Sequence, residues 1–503
     1  MPHKMCIFAA AMENITTHLS ELLSYNPAVP MLFNSGLFLV LFALFLAVYQ
    51  LVQGHGTLKK AIVILFSLYF YYKSSNWCVF ILCGVCLSDY LLGKWLFAVR
   101  EQQHRKCIVA LNVVINMGML VYFKYINLLL DAFVSIIGTT FDPLDVILPA
   151  GISFFTFRSI SYIVDIYRRQ LAPCTNFLDY CFYLTFFPPL LAGPVVRAKD
   201  MLPQIRENKP ATAAMMSEGL FLIMTGLVKK VVIADYISGN FVDRIFDNPS
   251  LYSGFENLMG CVGFTIQLYC DFSGYSDMAI GLALLLGYRF KENFAAPFKS
   301  QSPTEFWRRW HISLSLWLRD YIYIPLGGNR RGRTRAYVNQ ILTMVIGGLW
   351  HGASWMYIVW GAYHGLLLVC HKALRQVWHL PRNMVGRPEV KLANIAITFT
   401  LVVIGFTFFR AQSIESVGEI ARQIFTNFHL NVAPQFVESY MMIVLACAVG
   451  YIAHITPRAW TTGATQLYVD MPVLIQSLLL TAIIFIVVQT RQSELVPFIY
   501  LQY

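Results

Sequence analysis

Two histidines in strongly apolar surroundings, His311 and His351, are the side chains in this sequence best suited to carry chemistry. They lie 40 residues apart, separated by a basic, glycine-containing patch from Gly327 to Arg335. An ionisable side chain at membrane depth is costly, which makes it a functional candidate. An imidazole, near neutrality in its unperturbed pKa, can serve as a general base toward a hydroxyl. His351 follows Gly347-Gly348-Leu349-Trp350 and precedes Gly352-Ala353-Ser354. Small residues on both sides admit a second backbone or a ligand close to the ring. With Arg335 as the cytoplasmic end of a helix, 16 residues of rise (about 24 Å) carry His351 deep into a hydrocarbon core roughly 30 Å thick. His311 sits among Phe306, Trp307, Trp310 and Trp317 and the arginines Arg308, Arg309 and Arg319. On a helix it shares a face with Trp307 and Ser315, in the composition of a segment that lies at an interface or re-enters the membrane. From the residues alone, a hydrogen-bonded structural role and a catalytic one both stand for His311.

The other candidate groups follow from these two. His364 is 13 residues beyond His351 and points about 140° away from it on a straight helix, so the histidines do not share a face as metal ligands would. There is no HExxH motif and no GxSxG elbow, and no metal site is expected. Ser354 is the nearest hydroxyl to His351, and Trp350 adjoins it. The stretch Tyr269–Asp277 interrupts an apolar run with Asp271, Ser273 and Ser276. Either two helices meet there at a capped turn, the reading that the N-cap propensity of these residues favours, or one long helix carries polar groups at depth. Asp271, Ser273, Trp350 and Ser354 are the candidate substrate contacts. Arg330 and Arg331 are candidates for an anionic donor or an acidic carrier, although a short loop of this kind is also the usual cytoplasmic signature.

These residues must be held by membrane-embedded helices. The chain has 503 residues, 57% hydrophobic and 13% charged, about half the charged fraction of a soluble domain. That is enough apolar chain for ~10 to 12 spans of about 20 residues. A net charge of +11 is scattered through short inter-span loops, which excludes a nucleic-acid surface and fits a positive-inside bias. The eleven cysteines lie mostly inside apolar runs and read as small buried residues. Residues 1–33 read as an amphipathic interfacial segment, and 34–503 as a single membrane-embedded domain with its catalytic core at about 255–371. Arg100, Arg105 and Lys106 read as a cytoplasmic basic loop, and Lys229 and Lys230 as ends that snorkel to an interface. Arg158 and Asp165, on one helical face, read as members of a structural ion pair between helices.

Long ordered motifs then carry a resemblance. Gln267–Gly281, Glu292–Gly332 and Leu349–Gly365 resemble the membrane-bound O-acyltransferase (MBOAT) family, as do Pro149–Arg168, Phe186–Arg197 and the ending FIYLQY. The likeness runs from about Asn34 to the C-terminus. It implies an all-α polytopic fold, with re-entrant or interfacial helices around a thin, funnelled centre. It assigns the family's invariant histidine to His351 and its second polar position to His311. Arg158 and Pro189 depart from the family's pattern, away from both histidines.

What the resemblance implies is a multi-pass protein of the bacterial inner membrane. It would move an acyl group, expected to be acetyl, from acetyl-coenzyme A or another cytoplasmic thioester to hydroxyls of an exported polysaccharide. A secreted or periplasmic acyltransferase is the expected partner, membrane lipids surround the protein, and no bound cofactor is expected. The alternatives are carrier-protein-dependent transfer of D-alanyl type, and a transporter without bond chemistry. The arginine excess at Arg330, Arg331, Arg333 and Arg335 predicts a cytoplasmic loop. A cysteine placed at Arg331 is therefore expected to react with an impermeant thiol reagent only after cells are opened. Labelling from outside intact cells contradicts this orientation.

Overall fold

The computed structural model describes residues 23–27, 30–377, 387–490 and 498–499, and every regular element among them is helical. Most of the expected interfacial segment, residues 1–22 and 28–29, lies outside the described residues. The protein is an all-α polytopic membrane protein. Length and apolarity single out four described runs that can cross a membrane: Gly56–Ala98, Gln102–Ile137, Pro388–Arg410 and Val473–Thr490. A fifth is formed if Leu430–Ser439 and Met441–Ile455, bent by 93°, act as one. This is fewer than the ten to twelve spans expected, because several helices are short or carry polar side chains at depth. The longest single helix, Gly254–Leu285, has 32 residues but includes Gln267, Asp271, Ser273, Ser276 and Asp277.

The chain divides into two compact units. The first comprises Met1–Phe123, Leu144–Leu191 and Ile205–Asn208. At its centre Asp89, fully buried on the helix Val79–Ala98, accepts from Asn112 (2.8 Å), Ser159 (2.7 Å) and Tyr180 (2.6 Å). A carboxylate with that many donors is satisfied without water. Arg105 is not a loop residue as expected: it is buried in the helix Gln102–Leu120 and donates to the carbonyls of Leu96 (2.7 Å) and Tyr167 (2.9 Å). Arg158 makes no ion pair among the described residues, so the expected structural ion pair is absent for it; its guanidinium lies over the Tyr183 ring, 4.7 Å from the centroid.

The second unit, Lys124–Pro143, Ala192–Gln204 and Lys209–Tyr503, holds every candidate site residue. The polar stretch around Asp271 is not a capped turn. It lies inside the unbroken helix Gly254–Leu285, whose N-terminus is closed instead by a capping box between Ser253 and Glu256. The helix continues because its partner, Ala213–Leu227, approaches at glycine on both sides. A Cβ at Gly226 would stand 2.6 Å from the Gly274 carbonyl oxygen, and one at Gly281 would stand 2.5 Å from that of Gly219. Glycines seven residues apart on each helix thus make one antiparallel seam of backbone against backbone.

Two more helices position the histidines. Arg333–His351 and Trp355–Val377 pack closely, and a Cβ at Gly361 would lie 2.5 Å from the Met344 carbonyl oxygen. His311 stands at the break between Pro303–Arg309 and Ile312–Leu318. The glycine seam generates a prediction. Gly274→Val is expected to lower the unfolding midpoint of the detergent-solubilised protein by an amount equivalent to about 1–3 kcal/mol of overpacking. An unchanged midpoint means the two backbones are not held this close.

Candidate active site

His351 is the last residue of the helix Arg333–His351, after which Gly352 is extended. Its ring is buried in an aromatic enclosure. Trp360 meets it edge-on at 4.9 Å, Phe409 at 5.2 Å, and Trp350 at 4.9 Å. The carbonyls of its last turn are held from outside the helix: Lys124 Nζ donates to Trp350 O and His351 O at 2.9 and 3.0 Å.

His311 is not in mid-helix, so the expected shared face with Trp307 and Ser315 does not form. Its φ is +41°, in the left-handed region that costs a β-carbon residue on the order of 1–2 kcal/mol. Asn293 compensates. Its Oδ1 is 3.2 Å from His311 Nδ1 and also accepts from the Ser313 amide (3.2 Å) and hydroxyl (2.8 Å). A carbonyl oxygen at Nδ1 makes that nitrogen the donor, so a neutral His311 ring carries its lone pair on Nε2. Phe272 packs edge-on to the ring at 4.6 Å, and Trp350 lies 5.9 Å away, between the two histidines in the chain of ring contacts.

Beyond the aromatic wall opens a cavity of about 380 Å³. Tyr357 and Phe409, which face His351, line it together with Ser354, Lys230, Asp235 and Asp271. Lys230 does not snorkel. It is fully buried and pairs with Asp271 at 2.5 Å and Asp235 at 2.7 Å. Residues five apart lie about 140° apart on an α-helix. The segment Val228–Asp235 is π-helical, and its i→i+5 pattern brings Lys230 and Asp235 onto one face. Asp271 spends its second oxygen on the Ile499 amide, at 3.1 Å. Lys229 pairs with Asp277 at 2.6 Å.

The structure thus brings together His351, Trp350, His311 and, across the aromatic wall, Ser354 and Asp271. Ser273 is buried in the same long helix but does not line the cavity. Arg330 and Arg331 are exposed and stand near the start of the 19-residue histidine helix, about 27 Å from its end. A second cavity of about 590 Å³ at that start is lined by Arg333, Lys372 and Arg375 with Tyr323 and Tyr337. Sequence reasoning named the neighbouring arginines and missed Lys372 and Arg375, which come from the next helix. It also missed Asn293, Trp360, Phe409, Lys230 and Lys124, whose roles have no signature in local spacing. Among the described residues no three His, Cys, Asp or Glu side chains gather as a metal cluster.

An imidazole enclosed by aromatic rings beside a polar chamber can take the proton of a hydroxyl as that hydroxyl attacks a carbonyl, the chemistry of a membrane-embedded acyltransferase. The chain belongs to the membrane-bound O-acyltransferase family, whose sequence model matches residues 167–409. It is 43% identical over 407 residues to the probable alginate O-acetylase AlgI of Pseudomonas putida, covering 79% of this chain and 80% of that protein. It is 34% identical over 434 residues to the peptidoglycan O-acetyltransferase of Helicobacter pylori, covering 80% and 81%. With the teichoic acid D-alanyltransferase of Bacillus subtilis it shares 28% over 278 residues, covering 52% and 68%. The protein is an O-acyltransferase, and the alternative of a transporter without bond chemistry falls.

The buried charge cluster generates a prediction about stability. Lys230→Met leaves Asp235 and Asp271 together without their cation, at a cost of about 3–5 kcal/mol. This variant is expected to accumulate poorly, and adding Asp271→Asn to it is expected to recover part of the loss. Normal accumulation and thermal stability of Lys230→Met alone means the cluster does not hold the fold.

Proposed function

We propose that this protein moves an acetyl group from acetyl-coenzyme A, or another cytoplasmic thioester, to a hydroxyl on the far side of the bacterial inner membrane. The hydroxyl belongs to an exported polysaccharide or to a secreted acyltransferase that relays the group to it. Relatives named as alginate and peptidoglycan O-acetylating enzymes support the acetyl group and the polysaccharide acceptor.

The observation that carries this reading is the histidine helix itself. A basic cavity with Arg333, Lys372 and Arg375 lies at its start, and at its end the His351 ring packs against Tyr357 and Phe409, which line a polar chamber. A phosphate-bearing donor is drawn to the first, with Arg330 and Arg331 adding to the attraction. The acyl end must then travel inward to the second. There His351 accepts the acceptor's hydroxyl proton as the oxygen attacks the thioester carbonyl carbon. The tetrahedral intermediate expels the thiolate, which takes the proton back from the imidazolium and leaves as thiol. His311, held by Asn293, positions the acyl carbonyl, and Trp350 forms the wall between the two rings. Ser354 and Asp271 border the chamber on the acceptor's side, and Ser273 supports the helix that carries Asp271. Carrier-protein donation of D-alanyl type uses the same exposed arginines, and the donor assay separates the two.

In oriented vesicles, acetyl-coenzyme A supplied only at the cytoplasmic face is expected to acetylate an acceptor held at the other face. His351→Ala is expected to reduce transfer by about 10²–10⁴-fold while inserting normally. Near-normal transfer by His351→Ala ends its assignment as the base. A requirement for both substrates on one face ends the two-sided reading, and activity only with an acyl-loaded carrier protein selects the carrier route.

A further inference from the structure

The last carbonyls of an α-helix have no donor within the helix. In most long helices of this protein a backbone amide just beyond the end supplies one, as Val99 does to Trp95 and Ala411 to Thr407. The histidine helix ends differently. Gly352 turns away at φ −171°, and among the described residues its amide makes no bond back to the helix. Three consecutive orphan carbonyls are taken instead by two consecutive side chains from elsewhere in the chain. Tyr125 donates its hydroxyl to Leu349 O at 2.5 Å, and Lys124 donates its ammonium to Trp350 O at 2.9 Å and His351 O at 3.0 Å. Both belong to the π-helical turn Val121–Tyr125, a widened turn of a kind that recurs at functional sites. An ammonium here also meets the negative end of the helix dipole.

The residue so held is the one whose ring must be aimed. A terminal residue is the first to fray, and no further helical turn follows His351 to fix its backbone. We propose that Lys124 and Tyr125 are positioning residues for the transfer: a two-residue clamp on the last turn of the histidine helix that sets the angle of the His351 imidazole. This rests on the reading of His351 as the proton acceptor. The clamp touches only main-chain carbonyls. Its contribution is therefore geometric, and it acts on the chemical step more than on donor binding.

The test compares Lys124→Met, Lys124→Arg and Tyr125→Phe in the full-length protein, in detergent or vesicles, with acetyl-coenzyme A as donor. Lys124→Met keeps the length of the side chain and removes its three donors. Its kcat is expected to fall about ten- to hundredfold, the cost of a misplacement near 1 Å, with KM for the donor within about threefold of wild type. Lys124→Arg, which restores a cationic donor, is expected to regain most of that kcat, and Tyr125→Phe to lose about three- to tenfold. Hydrogen exchange of the amides of residues 349–353, which needs no acyl transfer, is expected to quicken in Lys124→Met and not in Lys124→Arg.

Wild-type kcat in Lys124→Met overturns the inference. So does a loss of thermal stability and kcat shared equally by the Met and Arg variants, which marks a purely structural residue. If Lys124→Met fails to accumulate, Tyr125→Phe decides through its kcat and exchange rates, and no change in either overturns the clamp. A wild-type protein with no transfer from any thioester defeats the proposed function instead, and the exchange comparison then still tests the clamp.

Discussion

A charge buried inside a protein must take its counter-charge with it, and the second unit holds one that does. Lys230 is fully buried between Asp235 and Asp271. Neither carboxylate is placed by ordinary helix geometry alone. Asp235 reaches it because Val228–Asp235 is π-helical, and Asp271 reaches it because the helix Gly254–Leu285 runs straight through its polar stretch. That course depends on the glycine seam, where Gly226 meets Gly274 and Gly219 meets Gly281 closely enough that any side chain would collide with a carbonyl. Unwinding one of these features would leave a charge unpaired at a cost of several kcal/mol. The cluster, the seam and the π-helical segment therefore stand or fall together.

The same cluster makes the chamber polar. Its cavity shares Tyr357 and Phe409 with the surroundings of His351, so one layer of rings stands between the imidazole and the chamber. Trp350 and Trp360 enclose the ring, and Phe409 and Tyr357 separate it from a chamber of carboxylates, an ammonium and Ser354. The proposed thioester donor would be best handled where bulk water is kept out, because hydrolysis competes with transfer. An acceptor hydroxyl, by contrast, needs polar groups to replace its hydration. On the proposed function, the aromatic enclosure of His351 answers the first need and the chamber beyond Tyr357 and Phe409 the second.

His311 shows how backbone strain is tolerated at such a place. Its positive φ is unfavourable for a residue with a β-carbon and persists only where the surroundings over-determine it. Asn293 does so with a single oxygen that takes the ring nitrogen and both donors of Ser313. Phe272 packs edge-on to the imidazole at 4.6 Å, and Phe294, 6.3 Å from the ring, links it to Trp310.

Composition and pattern were sufficient for an all-α membrane protein, because burying a helix in lipid demands long apolar runs whatever the tertiary arrangement. The two histidines were conspicuous in the sequence, as an imidazole in such a run is; the structure puts Trp350 in ring contact with both, and the motifs around them carried the family. Which helices are apolar enough to pass as spans by themselves was less legible. Length and apolarity do not mark a helix such as Gly254–Leu285, whose polar groups are paid for by partners elsewhere in the chain. The same reason explains why the polar stretch around Asp271 looked like a turn, Lys230 looked like a snorkelling end and Arg105 looked like a loop residue. Each side chain has a local propensity that favours water, and each is overruled by a partner distant in sequence: Lys230 by Asp271, 41 residues on, and Arg105 by the Tyr167 carbonyl, 62 residues on. Local sequence states which groups are costly to bury; only the folded chain decides which of them are buried, because that depends on whether a matching group arrives from another helix.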